Sequence, residues 1–358
     1  MKRFVSILLV FVLICVIGLG CSGCTAHNKY EYDLANELRW FGRTYERNGK
    51  YYFNWSASGF EFSFKGSGVS ATLETKAVEE KHTPYIKIYI DGVEQPDVAL
   101  TKASQTIVLA KELDPKAEHT IKVVKRTNAR SSPAALVSLT LTDGKKLDPP
   151  KNSSRLIEFV GDSITVGYAT VARGANEWST ATEDGTKTYV ERIAQKFGAD
   201  YNVVAISGRG VVFNSDGTTD KLMPDLYFKL DEHNNPGVDY DFARQPDVIV
   251  INLGTNDLGH TGPTSEDFRN GLTKFLKDVR AKNPKAEIIY AYGMMGTNLS
   301  DDMRTVISQL NAEGDKHIRF VPLATCGAYE WAIGHPTQSA YITRADVIIS
   351  EIEKVMGW

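Results

Sequence analysis

Cysteine is scarce in this chain of 358 residues: there are four, and Cys15, Cys21 and Cys24 all lie close to the N-terminus. The body keeps one thiol, Cys326, which excludes an internal disulfide there, so stability has to come from hydrophobic cores. Excess positive charge is also absent. Lys and Arg number 41 against 44 Asp and Glu, for a net charge of -3, and no basic stripe stands out, which argues against a nucleic-acid partner. The seven histidines form no HxxxH or HxH pair and are not interleaved with the cysteines, so no metal site is implied. Gly208-Arg209-Gly210 lacks the further glycine and the acidic partner of a dinucleotide fingerprint. No cofactor is expected.

What is present falls into two regimes. Residues 36–142 alternate with period two: Phe60, Phe62 and Phe64 around Glu61 and Ser63, then Val69, Ala71 and Leu73, then Ile86, Ile88 and Ile90. Turn signals at Gly66, Asp91-Gly92 and Asp114-Pro115 punctuate them, the pattern of a half-buried antiparallel sandwich. A polar, proline-bearing stretch at 143–153 reads as a linker. From 154 to 358 apolar runs alternate with helical spacing, which predicts an α/β domain with a parallel sheet between helix layers. Phe268, Leu272, Phe275, Leu276 and Val279 fit one face of a helix opened by the Thr264/Asp267 pair. Residues 211–245 read as a long loop excursion along the cleft wall.

The ends of the apolar runs carry the chemistry. Val160-Gly161-Asp162-Ser163-Ile164-Thr165 follows the first, Ser207-Gly208-Arg209-Gly210 the second, Gly254-Thr255-Asn256-Asp257 the third, and Gly334-His335-Pro336 precedes the last amphipathic stretch. A serine hydroxyl needs a base within hydrogen-bond reach and donors for the oxyanion that forms on attack. Ser163 is the expected nucleophile and His335 its base. The Asn256 amide and the backbone N–H groups of Ser163 and Gly208 are the expected oxyanion hole. Ligands of open α/β sheets bind beyond the carboxyl ends of the strands, where all four segments fall. Cys326, nine positions before His335, reads as a small buried residue rather than a catalytic one. His233 and His260 are rival bases without the following proline and helix that mark the His335 segment.

Ser, Gly, Asn and His in that order resemble the SGNH (GDSL-type) hydrolases, and most closely carbohydrate esterase family 2, acetyl esterases of plant polysaccharides. The nearer likeness rests also on Arg39-Trp40-Phe41-Gly42-Arg43, Phe53-Asn54-Trp55-Ser56, His119 to Thr127, Gly161 to Ala169 and Met223-Pro224-Asp225-Leu226-Tyr227. It implies a jelly-roll-like sandwich followed by a flavodoxin-like, three-layer αβα domain. It also implies removal of O-acetyl groups from xylan or glucomannan. Trp331, four residues before His335, offers a flat face for a sugar ring or an anchor for its loop, and Asp257 and Trp178 are weaker substrate-binding candidates.

One member of the pattern is missing. Many such enzymes place an aspartate three or two positions before the histidine, where this chain has Ala332 and Ile333; the nearest acid is Glu330. A dyad steered by a main-chain carbonyl of residues 330–333 is therefore expected, since a carbonyl can fix the same imidazole tautomer while stabilising its cation less. A degenerate domain that binds glycan without turnover is the alternative from another class. An esterase acting on bacterial cell-wall or lipid esters is the third reading. Lys2 and Arg3 before an uncharged run from Phe4 to Leu19 make residues 1–27 a targeting segment. Cys21 or Cys24 is then a candidate lipidated residue, implying an extracytoplasmic protein, secreted or anchored to a membrane.

Overall fold

Period-two alternation becomes two antiparallel sheets facing each other in the N-terminal half. The structure is a computed structural model that describes residues 29–76, 79–258 and 264–358. One sheet is built on Ser104–Ala110, Gly68–Glu74, Ala135–Thr142, Lys50–Tyr52 and Tyr45–Arg47, the other on Lys145–Leu147, Gly59–Lys65, His119–Lys125 and Tyr85–Ile90. Phe60, Phe62 and Phe64 point into the space between them, with Val69, Ala71, Leu73, Ile121 and Leu139. Each buried phenylalanine contributes on the order of 2 kcal/mol by leaving water. Lys145–Leu147 pairs with Lys65, Phe64 and Ser63, so part of the stretch read as a linker is a strand of this sandwich.

The opposite face of the second sheet is not left to solvent. Lys87, which alternates with the core residues Ile86 and Ile88 on its strand, is almost completely buried. Lys87 Nζ lies 3.1 Å from Asp184, and Arg43 reaches across to Glu158 and donates to the carbonyls of Tyr227 and Lys229.

The C-terminal half holds a five-stranded parallel sheet in the order Asp200–Ala205, Leu156–Gly161, Val248–Asn252, Glu287–Tyr292, Ile318–Pro322. Numbered along the chain this is 2-1-3-4-5, and its crossover reverses between the first and third strands. Helices Tyr189–Phe197 and Gln338–Met356 bury Ile193, Tyr341, Ala345 and Ile348 in a core with Phe159, Val203 and Val250. Ser265–Lys282 and Ser300–Ala312 bury Phe268, Leu272, Phe275, Met303 and Val306 in another with Val160, Ile249 and Ile251. The capping box expected at Thr264 and Asp267 is formed.

The excursion at 211–245 is not a bare loop. It contains a helical turn, Met223–Leu226, and a hairpin of Lys229–Asp231 with Asn235–Asp239. That hairpin is tied to the sandwich: Trp55 Nε1 donates to the Leu230 carbonyl at 2.8 Å, and Asn54 donates to the Asp231 carboxylate. The correction has a simple cause: polar loop composition does not reveal which distant donors will pair with it.

Candidate active site

The first parallel strand ends in Gly161, and the chain turns at once into the short helix Ser163–Val166. Gly161 is required by packing, because a Cβ there would lie 1.9 Å from Thr165 Oγ1. Asp162 caps the helix through Ile164 N–H at 2.9 Å. Tyr341 Oη donates to the Ile164 carbonyl at 2.8 Å, so the turn is held from the last helix. Ser163 therefore stands at the strand end with little freedom, 3% exposed.

His335 sits on a two-residue hairpin, with Trp331 opposite Pro336 and Ala332 opposite His335. The turn residues Ile333 and Gly334 both have positive φ, 50° and 70°, as a type I′ turn requires. For β-branched Ile333 this is an uncommon conformation. Its carbonyl lies 3.2 Å from His335 Nδ1, and His335 Nε2 lies 2.9 Å from Ser163 Oγ. The carbonyl can only accept, so Nδ1 carries the proton and Nε2 presents its lone pair to the serine hydroxyl. Burial holds the imidazole below its ordinary pKa, with the Ile333 carbonyl opposing that shift. Tyr168 packs its ring on His335 with centroids 4.2 Å apart, and Trp178 stacks on Tyr168 at 5.2 Å.

Glu330 does not reach the histidine. Its carboxylate pairs with Arg344 Nη1 at 2.6 Å and accepts from Gly327 N–H at 2.7 Å, and the Arg344 contact holds it below the usual carboxylate range.

Asn256 connects the remaining segments. Its amide donates to Asp162 Oδ2 at 3.0 Å and to the Arg209 carbonyl at 2.9 Å, one neighbour of Ser163 and one of Gly208. Both amide protons are thus engaged, and an oxyanion has to displace one of these acceptors to receive a hydrogen bond. Burial pushes the Asp162 carboxyl up to about 7. Gly208 has φ 83°, and a Cβ on it would meet Ser215 Oγ at 2.8 Å.

One expected substrate contact, Asp257, needs correction. Asp257 is 1% exposed, and its carboxylate accepts from the N–H groups of Val211, Val212 and Phe213 at 2.7–3.1 Å. It shapes the loop after Gly208 and has no face toward substrate. Trp331 donates its indole N–H to the Cys326 carbonyl at 3.1 Å, so that proton is not available to a sugar hydroxyl. Its partly open ring lines a cavity of about 500 Å³ with Val171, Arg173, Thr337 and Ile342. Cys326 is buried, its thiol pushed up to about 11 by burial, which suits packing and not nucleophilic attack. His233 Nε2 is buried without a hydrogen-bond partner, and His260 lies outside the described residues, as do Cys21 and Cys24.

Two neighbours of the site escaped the sequence reading. Tyr168 lay within a quoted segment, but nothing in its spacing from Ser163 showed that it would stack on a histidine far downstream. Arg130 comes from the sandwich half, and its Nη1 donates to the Ser207 carbonyl at 3.4 Å.

Residues 40–150 match the carbohydrate esterase 2 N-terminal family, and residues 159–342 match the GDSL-like lipase/acylhydrolase family. The chain is 28% identical over 328 residues to an acetylxylan esterase / glucomannan deacetylase of Cellvibrio japonicus, covering 86% of each protein. It is 28% identical over 316 residues to cellulase/esterase CelE of Acetivibrio thermocellus; 85% of this chain is matched, but it spans only 38% of that relative's length. A family two carbohydrate esterase from Clostridium thermocellum, solved with cellohexaose, superposes with a TM-score of 0.84 at 26% identity, over 90% of this chain and 99% of that one.

Proposed function

The chain belongs to the GDSL-like lipase/acylhydrolase family, with residues 159–342 as its carboxylic ester hydrolase domain; from that premise we propose that it is an esterase of the carbohydrate esterase family 2 type that removes O-acetyl groups from a polysaccharide such as xylan or glucomannan. The observation that carries the mechanism is the relay Ile333 carbonyl, His335, Ser163, with 3.2 Å and 2.9 Å between its members. Ser163 Oγ attacks the acetyl carbonyl carbon while His335 Nε2 takes the hydroxyl proton. The electron pair displaced onto the carbonyl oxygen is stabilised by the N–H groups of Ser163 and Gly208 and by the Asn256 amide. Collapse breaks the bond to the sugar oxygen, which receives the proton from Nε2. Water then repeats the sequence on acetyl-Ser163, releasing acetate and restoring the serine.

Residues 1–27 direct the chain out of the cytoplasm in this reading, and Cys21 or Cys24 attaches it to a membrane by a lipid. Absence of palmitate labelling from the wild type, or labelling that persists when both Cys21→Ala and Cys24→Ala are present, would count against attachment through these residues.

Acetate release from acetylated glucomannan and acetylated xylan tests the catalytic reading. Ser163→Ala is expected to abolish it while the fold, followed by circular dichroism, is kept; activity retained in this variant sinks the assignment.

A further inference from the structure

The loop that supplies Gly208 is flanked by cations that the proposed acyl chemistry does not use. Arg130 reaches over from the sandwich half, and its Nη1 lies 3.7 Å from the place a Cβ on Gly208 would occupy. Arg209, the next residue, presents its main chain to Asn256, donates Nη1 to the Asp220 carbonyl at 3.3 Å, and leaves its buried Nε without a partner. Unlike Arg39, Arg43, Arg126 and Arg344, neither Arg130 nor Arg209 forms an ion pair among the described residues, and Lys221 nearby forms none either. His233 adds an unpartnered buried Nε2.

Nearby carboxylates act on the group without ion-pairing with it: Asp220 and Asp216 oppose the lowering at Arg209, and Glu232 opposes it at His233. Asp216 accepts from Thr218 N–H and Oγ1, Glu232 accepts from Gly237 N–H, and Asp220 offers its main-chain carbonyl. The cations also feel one another. Burial and then Arg130 hold the Arg209 guanidinium below its ordinary pKa, and burial, Arg209, Lys221 and Arg130 push His233 down to about 4. Arg130 is exposed, and its charge, after burial and the opposing charge of Glu183, acts on Tyr168, the ring on His335.

We propose that Arg130 and Arg209 form an anion subsite beside the acyl site that takes the carboxylate of a hexuronic acid neighbouring the acetylated sugar. The inference rests on the esterase reading above. Two guanidinium groups with unused donors match a planar carboxylate, and a wholly neutral glycan supplies nothing to compensate them. Acetylated polymers with uronic acid substituents are then better substrates than neutral ones, and added salt erodes the difference.

Full-length Ser163→Ala is titrated at low salt with methyl glucuronide, methyl glucoside and inorganic phosphate. Initial rates of the wild type and Arg130→Gln are measured on acetylated glucuronoxylan before and after reduction of its carboxyl groups, with an aryl acetate as control. The proposal expects binding of the glucuronide over the glucoside and over phosphate. In Arg130→Gln it expects about a tenfold fall in the kcat/KM ratio of acidic to reduced polymer, the size of one charge-assisted hydrogen bond. It is overturned if glucuronide binds no tighter than glucoside, if phosphate binds as well, or if Arg130→Gln leaves the ratio unchanged. If even the aryl acetate is not hydrolysed, the esterase reading fails, and the titration alone decides the subsite.

Discussion

His335 owes its tautomer to a peptide carbonyl, which orients the ring without offering a negative charge to the imidazolium that the proposed proton transfer would form. The histidine is also held below its ordinary pKa of 6.5 by burial. A base has to be neutral to act, so the acid limb of kcat/KM is expected below pH 6.5, with activity persisting into mildly acidic solution. Replacing Ile333 by Asp places a carboxylate two positions before the histidine, in a left-handed conformation that Asp tolerates better than Ile. This variant should move the acid limb to higher pH, because a nearby negative charge favours the imidazolium. A profile that stays in place would mean that the residue-333 side chain does not face the ring. Asn256→Ala is expected to lower kcat by about 10²–10³, as loss of an oxyanion donor does.

At the scale of elements, the histidine hairpin and the loop after Gly208 each depend on one carboxylate engaged by the protein's own donors. Glu330 binds Arg344, which is 5% exposed and also donates to the carbonyls of Ala324 and Thr325. Glu330→Gln is expected to cost about 1–2 kcal/mol through that charge-assisted bond, read as a lowered melting temperature, while the acid limb of the pH profile stays put. Movement of the limb would show that Glu330 acts on His335 after all. Asp257 gathers three successive N–H groups, and Asp257→Ala leaves them without this acceptor, that of Val211 in the buried interior. Its expected cost is about 2–4 kcal/mol, together with reduced turnover as Gly208 loses its fixed position.

For the whole molecule, the sandwich is bound to the catalytic half through buried polar groups and not through a thin linker. Arg43 is 1% exposed, pairs with Glu158 at 3.4 Å and packs over the Tyr240 ring at 4.0 Å. Removing it strands a buried carboxylate, so Arg43→Ala is expected to destabilise by about 3–5 kcal/mol. Since the contact joins both halves, calorimetry should show the transition of the whole protein shifting. A shift confined to one of two separate transitions would show that the halves unfold independently.

The segments proposed for catalysis were legible because three of them share a local pattern, an apolar run and then glycine and a polar residue at the strand end. Phe60, Phe62 and Phe64 declared the sandwich core, and Phe268 to Val279 a helix face, because periodicity is a property of neighbours in sequence. The want of an aspartate at Ala332 and Ile333 pointed to a main-chain acceptor within residues 330–333. Tertiary structure alone decided that Ile333 supplies it, through a strained turn whose register depends on the hairpin. Folding also placed Asp257 inside, turned Trp331's N–H onto the Cys326 carbonyl, stacked Tyr168 on His335 and brought Arg130 across to Gly208. Those outcomes depend on contacts between residues far apart in the chain, and no local spacing encodes which buried donor a carboxylate will find or which surface a second domain will cover.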